Sequence, residues 1–153
     1  MSDEWNDIRD AAVAKMAASS GMATAGLRGA SVETDDPPGA ALPAIRMLPP
    51  IFTPLEQQNA YVSEYVLEFP FELLLPVPNG RRRADRIGMN IMRAAQLEWR
   101  SGFKLGLSST LDVVDSSIGP ASPGLQEYAD SGLDGYRSSV IVQVYETHSA
   151  RTP

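Results

Sequence analysis

The feature that most constrains this chain is a run of strictly alternating side chains between Glu64 and Leu75. Successive side chains of a β-strand point to opposite faces, so the run predicts one long strand with a core face and a largely polar face. Pro70 has no N–H for a strand ladder, and it therefore predicts an edge position or a bulge at that point. The apolar members of the expected core face are Tyr65, Leu67, Phe69, Phe71, Leu73 and Leu75.

Two segments have the spacing of helices that pack on such a strand. The first is expected from Asp3 to about Ser20, with Ser2 as its cap and Gly21 ending it. The second is expected from about Arg82 to Ser101 and to end at Gly102. The apolar stripe of the first helix is Trp5, Ile8, Ala12 and Met16, and that of the second is Ala84, Ile87, Ile91, Ala94 and Ala95, broadened by Gly88, Met92 and Trp99.

The remaining segments complete a single α+β domain over residues 1–153, with a mixed or antiparallel sheet packed by the two helices. Further strands are expected at 41–48, around 111–117 and at 136–147. Thr53-Pro54-Leu55-Glu56 matches a capping box, which indicates a brief helix to about Asn59 or a surface turn. Residues 22–41 and 119–135 are expected as long loops, and residues 148–153 as a flexible tail.

Composition excludes several classes of function. The chain has no cysteine and one histidine, His148, which removes disulfides, thiolate metal sites and most histidine-based metal or acid–base schemes. We therefore expect no cofactor. A net charge of −6 argues against nucleic-acid binding through phosphate contacts, because that mode of binding depends on an excess of clustered Lys and Arg. There is no apolar run of the roughly 20 residues that span a membrane, and the acidic first residues differ from a secretory signal, so a soluble protein without a membrane partner is expected.

The densest charge cluster is Arg81, Arg82, Arg83 and Arg86, at the start of the second helix. The helix dipole disfavours cations there, so another interaction should offset the repulsion. Three interpretations remain: a phosphate contact, a salt-bridged surface, or a patch that pairs with an acidic face of a neighbouring subunit. We favour the subunit interface, with the large aromatic residues Trp99 and Tyr136 as further interface anchors.

Glu64, Glu68 and Glu72 project from one side of the long strand. They do not resemble a catalytic pair, because no partner lies nearby in sequence to separate their acidities. A solvated face, or an acidic face that lines a channel and repels DNA, fits them better. The sequence also contains no phosphate-binding loop and no nucleophile elbow, and Glu146, His148 and Ser149 lie too close together for a triad. We expect no active site.

The order of these elements, together with several short sequence segments, resembles the tail terminator (tail-completion) proteins of long-tailed bacteriophages. The resemblance covers most of the chain and rests on the order of elements and on these segments. They are an N-terminal helix, Asp36-Pro37-Pro38 leading into Ala41-Leu42-Pro43-Ala44-Ile45, then Glu68-Phe69-Pro70-Phe71-Glu72-Leu73, the helix from Arg82, Gly135-Tyr136, and Val142-Gln143-Val144-Tyr145-Glu146.

The resemblance implies a tail-terminator-like α+β fold and a virion protein of the tail or neck, assembled in the bacterial cytoplasm. Its partners would be other copies in a hexameric ring, the tail tube protein and the head-side connector or stopper. DNA would pass through the lumen unbound. The sequence departs from the pattern by a Pro-rich insert, Pro49–Ser63, which leaves the docking surface open.

Other functions fit the same observations. A neck-completion (head–tail connector) protein or a minor tail protein would share many of these sequence segments. A small adaptor domain that binds a peptide by adding a strand at its sheet edge belongs to a different class. A hydrolase with an unrecognised site is the third alternative.

Overall fold

The computed structural model describes residues 4–32, 43–54, 62–76, 81–100, 111–119, 126–128 and 133–147. These residues form three helices and seven strands, which confirms the α+β class with a mixed sheet. In chain order the elements are α1 (Glu4–Ala18), α2 (Ser20–Ala25), β1 (Gly29–Val32), β2 (Ala44–Met47), β3 (Ile51–Pro54), β4 (Val62–Pro76), α3 (Arg81–Trp99), β5 (Leu111–Ile118), β6 (Gln126–Tyr128) and β7 (Leu133–Thr147).

Two long strands form the centre of the sheet. β4 and β7 have 15 residues each and pair antiparallel over their whole length, from Val62 with Thr147 to Pro76 with Leu133. Each is flanked on its other side by two short strands in succession, β2 and β3 along β4, and β5 and β6 along β7. β1 adds to β2 in parallel, so the main strand order is β1-β2-β4-β7-β5.

One face of the sheet carries the core, as the alternation predicts. All six apolar residues of the predicted core face of β4 are buried, and the matching residues of β7 are Val140, Val142 and Val144. The helices cover this face with the predicted stripes. Their buried members are Ile8, Ala12 and Met16 of α1, Met22 of α2, and Ile91, Met92, Ala95 and Trp99 of α3, with Trp5, Ile87 and Ala94 partly buried against them.

The prediction that Pro70 marks an edge or a bulge is wrong. β4 is a central strand, and its register with β7 is unbroken at the pair Pro70–Ser139. The N–H and C=O of one strand residue point to the same side, and the Pro70 carbonyl accepts from the Leu48 N–H at 2.8 Å. The side of Pro70 that lacks an N–H therefore faces the gap between the end of β2 and the start of β3. No ladder hydrogen bond from Pro70 is required there.

The first helix ends earlier than Gly21, contrary to the prediction. α1 stops at Ala18, and Ser19 begins the short helix α2 as its N-cap, its side chain accepting from the Met22 N–H at 3.2 Å. Gly21 lies inside α2. Gly26, at φ 120°, ends α2 in a conformation that L side chains rarely adopt.

Several other boundaries differ from the sequence predictions. The segment 22–41, expected to be a loop, contains part of α2 and all of β1, and the loop 119–135 contains β6 and the start of β7. Thr53 and Pro54 belong to strand β3, not to a helix. The expected strands at 41–48, 111–117 and 136–147 are confirmed as β2, β5 and β7. Ser2, residues 55–59, Gly102 and the tail 148–153 lie outside the described residues.

Candidate interaction surfaces

The arginine cluster opens α3 and continues along its exposed face. Arg81, Arg82 and Arg83 form the first turn of the helix. The structure describes their backbone but not their side chains. Arg86 is exposed, and Arg93 and Arg100 are exposed at successive seven-residue steps. Seven residues make about two helical turns, so these three side chains lie on one side of the helix. The seven-residue spacing of these arginines is present in the sequence, although it is less conspicuous there than the dense cluster that begins at Arg81.

Two large apolar side chains lie among these arginines. Met89 is 59% exposed and Leu97 is 50% exposed. We call the exposed set Arg86, Met89, Arg93, Leu97 and Arg100 the α3 stripe. Within the described part of the chain, its three arginines form no ion pair.

Trp99 and Tyr136, expected as interface anchors, lie in the hydrophobic core of the chain itself. Trp99 is 2% exposed, donates from Nε1 to Ser116 Oγ at 3.1 Å, and has Lys15 Nζ at 5.5 Å from its ring centroid. Tyr136 is also buried and packs against the backbone of α3 at Gly88. Both residues therefore have little surface with which to contact a neighbour, and their clearest role is to hold α3 on the sheet.

The three glutamates of β4 share one face, but their surroundings differ. Glu72 is buried between two arginines: Arg46 Nη2 lies 2.7 Å from Oε2, and Arg137 Nη2 lies 3.4 Å from Oε1. Both arginines are its direct cross-strand partners. Glu72 is therefore neutralised within the chain, whereas the sequence suggested an acidic side chain that faces a lumen.

The other two glutamates are more accessible. Glu68 is partly buried and accepts from the Ser139 hydroxyl at 2.7 Å. Glu64 is partly exposed and has no ion-pair partner among the described residues. Among the three glutamates of β4, the accessible negative charge therefore lies at Glu64 and Glu68.

The face of the sheet opposite the core carries apolar side chains beside these acids. Glu68 has Ile51 of β3 and Ile141 of β7 as its cross-strand neighbours. Ile51 is 52% exposed, whereas Val66 and Ile141 are partly buried. We call the half of this surface formed by Ile51, Glu64, Val66, Glu68, Asp115 and Ile141 the outer face. The described helices contribute their buried residues to the core on the other side.

An aromatic cluster joins the start of α1 to the edge of the sheet. The rings of Trp5 and Phe52 stack with their centroids 5.5 Å apart, and the ring centroids of Phe52 and Tyr65 are 5.3 Å apart. Trp5 Nε1 donates to the Tyr65 hydroxyl at 2.9 Å, which in turn donates to Glu146 at 2.8 Å. Phe52 nevertheless remains 46% exposed, so the cluster ends at the surface.

The described residues also line two shallow clefts. One, of about 190 Å³, lies between the end of α3 and strand β5, lined by Gln96, Trp99, Arg100, Ser116, Ser117 and Ile118. The other, of about 150 Å³, lies beside α2 and β1. Among the described residues no group of three or more acidic or histidine side chains is placed to hold a metal ion. Within that same part of the chain, no helix combines the length and apolar character needed to cross a bilayer.

No family model matches the sequence, and neither does any curated protein. Among solved structures, the fold is similar to that of a chain in the virion of a native gene transfer agent (GTA) particle, with a TM-score of 0.60 and 11% sequence identity. The alignment covers 90% of this chain and 93% of that chain. At this identity the likeness establishes a shared fold over nearly the whole of both chains.

Proposed function

We propose that this protein is a structural subunit of a phage-like virion and acts there as a tail terminator. In this role, copies of the chain form a hexameric ring that ends the tail tube and joins it to the head-side connector. The observation that carries the proposal is the fold shared with a chain of a GTA virion over 90% of this protein. The sequence resemblance to tail terminators supports the more specific role.

The exposed edges and side chains of the subunit are consistent with assembly. β1 and β5 end the main strand order, so within the described residues each has one side without a strand partner. Open edges of this kind are usually covered or paired in the working form of a protein. Large apolar side chains are also exposed on three elements: Ile51 and Phe52 of β3, Met89 and Leu97 of α3, and Val114 of β5.

The proposed role is structural and involves no catalysis. The ring would bind the tail tube protein on one side and the connector or stopper on the other, and DNA would pass through its lumen. A net charge of −6 favours passage, because like charge keeps DNA from adhering to the ring. The proposed location is the virion neck or tail, after assembly in the bacterial cytoplasm.

Particle size and tail joining together test this proposal. Light scattering and negative-stain imaging of the purified protein, alone and mixed with purified tail tubes, should show rings and a ring at one end of each tube. A protein that stays monomeric and also fails to bind tube ends would contradict the proposal. Binding to isolated connectors but not to tubes would instead support a neck-completion role.

One observation favours a different class of function, a peptide-binding adaptor. The cleft of about 190 Å³ lies directly beside the open edge of β5. A peptide that added a strand to β5 could place one side chain in this cleft. This alternative predicts a one-to-one complex with an extended peptide and no ring, so the same sizing experiment separates the two proposals.

A further inference from the structure

We infer that the α3 stripe of one copy packs on the outer face of the next copy, and that this contact joins neighbouring subunits. The inference rests on the proposed ring and names the surfaces that form it. The occupant of each surface is therefore a second copy of this chain. The argument depends on the composition, charge and relative position of the two surfaces.

The composition of the α3 stripe is typical of a protein interface. Arg and Met are enriched at such interfaces and Lys is depleted, and the stripe contains three Arg, one Met, one Leu and no Lys. Arg86 and Arg100 are 14 residues apart, which places them about 21 Å apart along the helix. The partner surface should therefore be elongated, acidic and partly apolar.

The outer face has the complementary composition. Glu64, Glu68 and the exposed Asp115 supply negative charge, while Ile51, Val66 and Ile141 supply apolar area. Glu64 and Glu68 are four strand residues apart, about 13 Å, which fits the spacing of successive arginines on the stripe, about 10 Å. Like Glu64, Asp115 has no ion-pair partner within the described residues.

A second acidic surface, on α1, fits less well. Asn6, Asp7 and Asp10 are exposed there, but the other described residues exposed on that helix are all alanines: Ala14, Ala17 and Ala18. Such a surface offers nothing large for Met89 and Leu97 to pack against. The outer face satisfies both the charge and the apolar requirement, so we assign the contact to it.

The positions of the two surfaces permit a closed ring. α3 packs on the core face of the sheet, so its exposed stripe and the outer face lie on opposite sides of the subunit. Each copy then uses one surface toward each neighbour. A head-to-tail contact of this kind repeats from copy to copy and closes when its rotation divides a full turn.

Site-directed cross-linking tests the contact directly, because the chain contains no cysteine. Leu97→Cys and Ile51→Cys proteins, purified separately and mixed with a short bismaleimide, should give mainly the mixed dimer. Ala17→Cys, an exposed position on α1, is the matched control and should not join Leu97→Cys efficiently. Equal cross-linking of Leu97→Cys to both partners would overturn the inference.

Charge reversal provides the second test. Arg93→Glu with Arg100→Glu, or Glu64→Arg with Asp115→Arg, should weaken self-association at least about tenfold. A mixture of the two variants should recover it, because every junction between alternating copies of the two variants again pairs opposite charges. The control, Asp7→Lys with Asp10→Lys, should associate like the parent protein. Urea unfolding checks that each variant is folded.

The outcomes separate this inference from the proposed function. Rings that persist in both charge-reversed variants would overturn the interface and leave the tail terminator proposal standing; they would also favour a lumen-facing position for Glu64 and Glu68. Rings that depend on both surfaces but do not bind tail tubes would support the interface and contradict the proposed function.

Discussion

Gly88 and Gly21 are both helical glycines, but only Gly88 is closely packed. A Cβ atom on Gly88 would lie 2.7 Å from Cδ2 of Tyr136 and 2.9 Å from Cδ1 of Leu75, whereas one on Gly21 would have Ser19 Oγ at 3.9 Å as its nearest neighbour. The close approach of α3 to the sheet therefore depends on the missing side chain at Gly88.

Gly88→Ala should destabilise the protein by about 1–3 kcal/mol, because the overlap with Tyr136 and Leu75 outweighs the gain in helix propensity of about 1 kcal/mol. Gly21→Ala, the control, should be neutral or stabilise by up to about 1 kcal/mol. Urea unfolding measures both free energies. A Gly88→Ala protein as stable as the parent would show that α3 does not pack this tightly.

Glu72 is the charged residue whose loss should matter most on the outer side of the sheet. Glu72→Gln would leave Arg46 and Arg137 without their anionic partner, at a cost of about 1–3 kcal/mol, reduced from the fully buried case because both arginines reach solvent. Glu64→Gln, the control, should change stability by less than about 0.5 kcal/mol. Equal effects of the two substitutions would argue against the Arg46–Glu72–Arg137 cluster.

At the level of elements, the periodic patterns predicted the structure better than the single proline and glycine residues that were expected to interrupt or end an element. The alternation from Tyr65 to Leu75 and the stripe from Ile8 to Met16 gave the correct type and buried side of β4 and α1, because burial selects the same period along the whole element. Pro70 and Gly21 were misinterpreted. Their effect depends on what lies beside them, namely the break between β2 and β3 and the cap at Ser19.

Ser19 should contribute measurably to the stability of the α1–α2 junction. Its buried hydroxyl accepts from the Met22 N–H and donates to Glu98 at 3.2 Å, so Ser19→Ala should cost about 1 kcal/mol. Ser20→Ala, an exposed control at the next position, should have little effect. Thermal unfolding compares them, and equal melting temperatures would contradict the cap.

At the level of the whole molecule, charge is distributed unevenly: the net charge is −6, yet α3 exposes a line of arginines. The sequence revealed Arg81–Arg86 as a dense cluster. It could not reveal that Glu72 is neutralised, because Arg46 and Arg137 reach it only through the sheet register. The pairing of β3 with β4 likewise places Ile51 beside Glu68. No local sequence pattern indicates this contact.

Assembly through the inferred contact between the α3 stripe and the outer face should depend on ionic strength. Salt screens exposed charges, with a Debye length of about 10 Å at 0.1 M and about 3 Å at 1 M. Light scattering at increasing sodium chloride should therefore show rings dissociating, while the Asp7→Lys, Asp10→Lys control follows the same curve. Rings that tighten with salt would indicate a contact dominated by apolar burial.

The pairing of β4 with β7 also determines when the chain can fold. Glu68 and Ser139, hydrogen-bonded across the central ladder, are 71 residues apart in sequence, and contacts this distant slow folding toward milliseconds to seconds. During synthesis, β4 leaves the ribosome long before β7, so the nascent chain carries an amphipathic strand without its main partner. In the proposed ring, a copy could therefore be recruited only after β7 has been synthesised and has paired with β4.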